Sequence, residues 1–253
     1  MPQDDFYIGY LDKAPEGLAK WLRGRVVGLI VVALGVAVML VAGQKAFYPS
    51  TFEFLQYRSF EGVVEEHPYP MLRVMHPGES GELPYSRYYL VQEGKFGAQH
   101  SMEGFEGQRV RFEGTLIYRD DQVMIELKPG TVEVVDAERA QPDARLVLLG
   151  QYTLTGEIVD SKCYLGVMNP SSEKPHRACA ARCISGGIPP LFITRNESGD
   201  TSYLLLQSPE GEAVNAAVLD VVAEPLSITG SVYQQGDLLV FQADPATFRR
   251  LNP

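Results

Sequence analysis

Hydrophobic residues are distributed in two different ways along the chain. From Val26 to Gly43 they run on with no charged or strongly polar side chain between them. As a helix, about 18 to 20 such residues rise about 27 to 30 Å, enough to cross the hydrocarbon layer of a bilayer. A buried soluble helix normally keeps some polar positions, whereas this run is compatible with lipid on every side. A cleaved signal peptide has a shorter apolar core behind a short basic start. Here the leader is long and holds Asp4, Asp5, Asp12 and Glu16. The pattern predicts an uncleaved transmembrane helix at 26–43 behind an N-terminal segment at 1–25.

From Gln44 onward the pattern changes to short alternating segments rich in Val, Ile, Leu, Tyr and Phe, broken by Gly, Pro and Asp. That is the signature of strands. Arg119-Asp120-Asp121-Gln122 and Gln234-Gln235-Gly236-Asp237 each separate two alternating runs and read as hairpin turns. The two halves also resemble each other. Phe60-Glu61-Gly62-Val63-Val64 matches Leu154-Thr155-Gly156-Glu157-Ile158, and Val110-Arg111-Phe112-Glu113-Gly114 matches Leu226-Ser227-Ile228-Thr229-Gly230. Each half offers about five strands, with glycine where a small barrel must coil sharply. The expected fold is an all-β extramembrane region of two OB-like barrels in tandem, at 48–136 and 145–253. A single larger sandwich is the competing arrangement. The linker falls near Ala137 to Ala144, where Glu138, Arg139, Gln141, Pro142 and Asp143 interrupt the apolar pattern.

Charge adds orientation. Lys13, Lys20, Arg23 and Arg25 precede the apolar run, and only Lys45 and Arg58 follow it closely. Because flanking cations resist translocation, the N-terminus is expected in the cytoplasm. Both barrels then lie in the periplasm, or another extracytoplasmic space, on a single-pass inner-membrane anchor. Trp21, Phe47 and Tyr48 suit the two headgroup layers. Gly24 and Gly28 form a small-xxx-small pair of the kind used in helix packing. The four cations and four acids of residues 1–25 cancel, so the formal charge of −10 lies entirely beyond the span. An acidic outer region disfavours nucleic acid as a partner and leaves the membrane and a membrane-protein complex.

The candidate chemistry is confined to one stretch. All three cysteines fall in an insertion at 160–190 of the second half: Asp160-Ser161-Lys162-Cys163, then His176-Arg177-Ala178-Cys179-Ala180-Ala181-Arg182-Cys183. Nothing in the first half corresponds to it, which places it between the first two strands of the second barrel. Ser172 to Ser185 reads as a helix capped by Ser171 or Ser172 and stopped by Gly186-Gly187. On it His176, Cys179 and Cys183 share a face, with Cys163 closing over them. Three sulfurs and an imidazole match a site for zinc, copper or another thiophilic metal, with Met168 as a further soft ligand for copper. A disulfide from Cys163 to Cys179 or Cys183, leaving a spare thiol, fits the oxidising compartment equally, and thiol exchange is a third use.

The segment from Gly156 to Leu191 resembles one found in uncharacterised bacterial membrane-anchored proteins. In these the Asp-Ser-Lys-Cys start, the His-x-x-Cys-Ala-x-x-Cys-Ile middle and the Gly-Gly-x-Pro-Pro end recur. That resemblance implies no particular activity. In architecture alone, an anchor followed by an OB-like barrel also resembles the periplasmic haem chaperone of cytochrome c maturation. Its His-x-x-x-Tyr motif is absent around His67, His76, His100 and His176, so haem carriage is not carried over.

Met71, Met75, His76, His100 and Met102 are soft groups scattered through the first half, where core and surface roles outweigh copper binding. Glu65, Glu66, Asp120 and Asp121 suit edges and turns. No nucleophile elbow, phosphate loop or His-Glu-x-x-His helix is visible, so classical hydrolase or nucleotide chemistry has no support in the sequence. The expected function is an accessory or assembly subunit of a membrane redox system, not an independent enzyme, with metal or thiol handling through Cys163, His176, Cys179 and Cys183. The alternative is a non-catalytic interaction scaffold whose cysteines staple a loop.

Overall fold

The apolar run lies within a longer helix, α1 (Glu16–Ala46), so the helix begins at Glu16 rather than Val26. The computed structural model describes residues 15–46, 50–75, 85–136, 138–140 and 145–251. Phe47, Tyr48, His76, Lys13 and most of the expected linker fall outside these. The early start has a local cause: Leu18, Ala19, Lys20, Leu22 and Arg23 are good helix formers, and Arg25 stacks over the Trp21 ring one turn back at 3.9 Å. Apolar side chains including Leu29, Val32, Leu34, Met39 and Leu40 are exposed along it. The helix is long and apolar enough to cross a membrane.

Ser50–Pro253 forms a second unit. Its first half comprises β1 (Ser50–Phe52), β2 (Arg58–Glu65), β3 (Met71–Met75), β4 (Tyr85–Gln92), β5 (Phe96–Gly97), α2 (Gln99–Met102), β6 (Arg109–Arg119), β7 (Gln122–Leu127) and β8 (Glu133–Asp136). The second comprises β9 (Val147–Asp160), α3 (Glu173–Ser185), β10 (Pro190–Arg195), β11 (Thr201–Gln207), α4 (Asn215–Val218), β12 (Pro225–Gln235), β13 (Leu238–Gln242) and β14 (Arg249–Arg250).

In each half five strands close into a barrel with the same connectivity. β2 pairs antiparallel with β3 and β6, β3 with β4, and β6 with β7, and a parallel β4–β7 pairing closes the ring. β9, β10, β11, β12 and β13 repeat the scheme, closed by parallel β11–β13. The short helices α2 and α4 sit at the same place, between the third and fourth barrel strands. This is the expected tandem of OB-type barrels.

The repeated glycines explain themselves at the bends. A Cβ on Gly62 would lie 2.6 Å from the Arg73 carbonyl oxygen, and one on Gly156 would lie 2.2 Å from that of Ile193. Both expected hairpins form, with two-residue loops at Asp120-Asp121 and Gly236-Asp237. Asp120 and Gly236 hold φ values of 53° and 62°, as tight hairpin loops require.

Each barrel has its own core, around Leu72, Leu90, Phe112 and Ile125 in the first and Phe192, Leu206, Ile228 and Phe241 in the second. A third cluster joins them, bringing Tyr69, Tyr89, Ile117 and Met124 against Val159, Tyr164, Leu191, Tyr203 and Leu238. The Tyr69 hydroxyl donates to the Leu206 carbonyl and accepts from the Val214 N–H, both at 3.0 Å. The strands separate near the expected linker, β8 ending at Asp136 and β9 starting at Val147. The two barrels nevertheless pack as one body.

Candidate metal centre

The insertion leaves β9 at Asp160 and returns into β10 at Pro190, between the first two strands of the second barrel. Asp160 is fully buried and holds both of its sides together. One carboxylate oxygen accepts the Cys163 N–H at 2.8 Å, and the other lies 2.9 Å from His176 Nε2. The chain between them makes a π-helical turn at Cys163–Val167 and then enters α3 after Ser172. At the far end Gly186 N–H bonds to the Arg182 and Cys183 carbonyls and Gly187 takes φ 96°, the helix stop read from the sequence.

This path brings the three sulfurs together. Cys163 Sγ lies 3.8 Å from Cys179 Sγ and 3.9 Å from Cys183 Sγ, and all three thiols are free. Cys163 and Cys183 are buried, whereas Cys179 is half-buried. His176 is buried too, but it groups with Asp160 and Cys163 rather than with the three sulfurs. The four residues singled out from the sequence therefore converge as two overlapping groups that share Cys163. Met168 is exposed.

A cation from the other barrel completes the cluster. Lys95, in the turn between β4 and β5, places Nζ 2.7 Å from Cys179 Sγ and 3.6 Å from Cys183 Sγ. Close backbone contacts carry it there. The Gly97 N–H donates to the Gly186 carbonyl at 2.9 Å, and Gln99 donates to that of Gly187 at 2.7 Å. A Cβ on Gly186 would stand 1.9 Å from the Lys95 carbonyl oxygen, so only glycine lets the turn lie this close. Buried Lys162 pairs with Glu126 and donates to the Gln92 and Gly94 carbonyls at 2.6 and 2.8 Å. The turn carrying Lys95 is thus gripped by the residue that precedes Cys163.

The electrostatics are those of a shared thiol system. The hydrogen bond to Cys183, reinforced by burial, pushes the Cys163 thiol far above the ordinary range, and the same bond draws Cys183 down. The hydrogen bond to Cys179 raises Lys95. Chemically, three converging sulfurs can ligate a soft metal or exchange redox equivalents.

Among the described residues, the other sequence candidates do not gather into a site. Met71 and Met102 fill two different cores, while Met75 is exposed and His100 fully so. Asp120 hydrogen-bonds Tyr203, and Glu65 pairs with Arg87. A cavity of about 530 Å³ adjoins the insertion, lined in part by Glu157, Tyr164, Lys174 and Arg195, but none of the cysteines lines it. Asp160 and Lys162 were overlooked as site residues although they flank Cys163 in sequence. Lys95 had no local signal, since it comes from the other barrel.

Fold and site define a class: a tandem OB-barrel protein behind an apolar N-terminal helix, with a three-thiol cluster where the barrels meet. No protein-family model matches the chain, and no curated protein is detectably similar to it.

Proposed function

We propose that the chain is a membrane-anchored accessory or assembly subunit of a membrane redox system, whose Cys163, Cys179 and Cys183 take up a thiophilic metal ion. The observation that carries this is the sulfur spacing. Tetrahedral thiolates about 2.3 Å from a metal stand about 3.8 Å apart, and the separations from Cys163 are 3.8 and 3.9 Å. A disulfide would need about 2.05 Å. The three-sulfur set suits copper(I) or zinc, and the Asp160–His176 pair positions Cys163 from behind. The anchor would be α1 with its N-terminus in the cytoplasm, and the barrels would face a periplasmic membrane-protein partner.

The test uses the full chain in detergent, purified anaerobically without chelator. Metal analysis and a free-thiol count should give about one copper or zinc per chain with no disulfide, and Cys163→Ser or Cys183→Ser should abolish the metal. A metal-free protein with one disulfide and one thiol would instead establish the scaffold with a stapled loop.

A further inference from the structure

The first half of β9 is a strand with one open side. β12 pairs with it from Val147 onward, whereas β10 joins its other side only at Gly156–Asp160. Among the described residues, nothing pairs with that side over 147–155. The Thr155 carbonyl accepts the Thr194 hydroxyl of β10 at 2.8 Å. By the two-residue alternation of a strand, Thr153 and Gln151 turn their N–H and C=O groups the same way, past the point where β10 has ended. The side chains suit such an edge poorly. Leu146, Val147, Leu148, Leu149 and Tyr152 are all exposed, Val147 and Leu148 at 60% and 59%. No charged residue and no proline lies between Leu146 and Gly156, although these are the usual means of keeping an edge from pairing. The bulge opposite Val232 sharpens the twist and leaves the outer side open.

We propose that this edge is a dimer interface, occupied by the same stretch of β9 from a second copy of the chain running antiparallel to it. An open row of N–H and C=O groups selects an extended strand as its partner. Charge selects which strand. The chain carries a formal charge of −10, so two copies repel one another unless they meet at an uncharged surface. The open half of β9 is such a surface. Of the other edge strands among the described residues, β8 is bounded by Glu133 and Asp136, and β1, β5 and β14 span only two or three residues.

A twofold interface needs one patch that complements itself. Antiparallel pairing centred on the midpoint of the open stretch sets Gln151 against its own counterpart. Each Tyr152 ring then falls opposite the other copy's Gly150, where no side chain obstructs it. The exposed leucines and Val147 lose water, and the unpaired backbone groups gain partners. Copies anchored as proposed above share one membrane, which raises their effective concentration. The interface uses no residue of the thiol cluster and does not depend on metal binding.

The experiment is sedimentation of the full chain in detergent, with variants at the exposed Gln151, each checked for folding by circular dichroism. The wild type should sediment as a dimer. Paired antiparallel Cα atoms lie about 4.5 to 5.5 Å apart, within disulfide reach. Oxidised Gln151→Cys should therefore form a covalent dimer whose peptide map joins the two introduced cysteines. Thr229→Cys, exposed one strand further in on β12, should not. Gln151→Lys and Gln151→Glu each set like charges opposite one another and should weaken the dimer about two- to fivefold, and an equimolar mixture of the two should restore it. A monomer, an open-ended aggregate, a dimer indifferent to charge at 151, or a different protein seated on this edge in place of the second copy would overturn the proposal. A monomer with stoichiometric metal would sink this reading alone, and a dimer linked through 151 without metal would sink the metal reading alone.

Discussion

Lys162 is the strongest test of the site's construction. Its ammonium is buried, paired with a Glu126 side chain that is only 11% exposed, and bonded to two backbone carbonyls of the other barrel. Lys162→Met keeps the stem volume but leaves the Glu126 charge buried and the Gln92 and Gly94 carbonyls without their donor. Breaking a buried ion pair from one side costs about 3 to 5 kcal/mol. With a urea slope of about 2 kcal/mol per M, the unfolding midpoint of the full chain in detergent should fall by about 1.5 to 2.5 M. Adding Glu126→Gln removes the stranded charge, so the double variant should recover at least about 1.5 kcal/mol relative to the sum of the singles. Cys179 should also react faster with a thiol reagent in Lys162→Met, because the turn holding Lys95 over it is released. A loss below about 1 kcal/mol with additive singles would refute the reasoning, since the pair would then be solvated and the turn held by other contacts.

Tyr69→Phe removes one hydroxyl that satisfies two buried backbone groups of the second barrel, Leu206 C=O and Val214 N–H; chemical denaturation should register a loss of about 1 to 3 kcal/mol. Gly156→Ala drives a Cβ to 2.2 Å from the Ile193 carbonyl, a backbone atom that cannot step aside, and should cost about 3 kcal/mol. Gly104→Ala, at φ 88° in open space, should cost about 1 kcal/mol in the same assay. Arg250, with Arg177, holds the Glu224 carboxyl below its ordinary value of 4.5. A depressed carboxylate stabilises fully above its unfolded pKa and loses that contribution as the pH falls through the folded one. The stability difference between wild type and Glu224→Gln, up to about 1 kcal/mol, should therefore be present at pH 7 and shrink below pH 4.5.

What was legible in the sequence was whatever had a local cause. The two barrels could be read because strand alternation, turn chemistry and the paired glycines at 62/156 and 114/230 repeat at matching places, and each glycine meets a neighbouring strand's backbone. The helix at 172–185 was visible because its stop, Gly186-Gly187, is a local signal. The grouping of Cys179 with Cys183 followed from helical spacing alone. His176 shares the helix but not the three-sulfur group, because Asp160 at the end of β9 engages its ring; a carboxylate thirteen positions before the helix leaves no trace in helical spacing. Hydrophobicity marks where a helix is apolar, not where its backbone bonds begin, so the apolar run at 26–43 carries no signal for the start of α1 at Glu16.

Lys95 was illegible for a deeper reason, and the same reason explains why the halves form one body. Two glycines that read as a helix stop also let the β4–β5 turn lie within backbone contact of the end of α3, and the lysine beside Cys163 holds that turn through the Gln92 and Gly94 carbonyls. A helix stop needs only one glycine at the left-handed position, here Gly187 at φ 96°. Gly186 is at φ −83°, where alanine would be accepted by the helix. Its requirement for glycine comes from the Lys95 carbonyl alone. Gly186→Ala should therefore leave α3 intact while lifting Lys95 from Cys179, separating the helix's own needs from those of the cluster. The first barrel carries no cysteine, yet it supplies the amine nearest the sulfurs. A site assembled in this way makes the docking of the barrels and the chemistry of the thiols one structural problem.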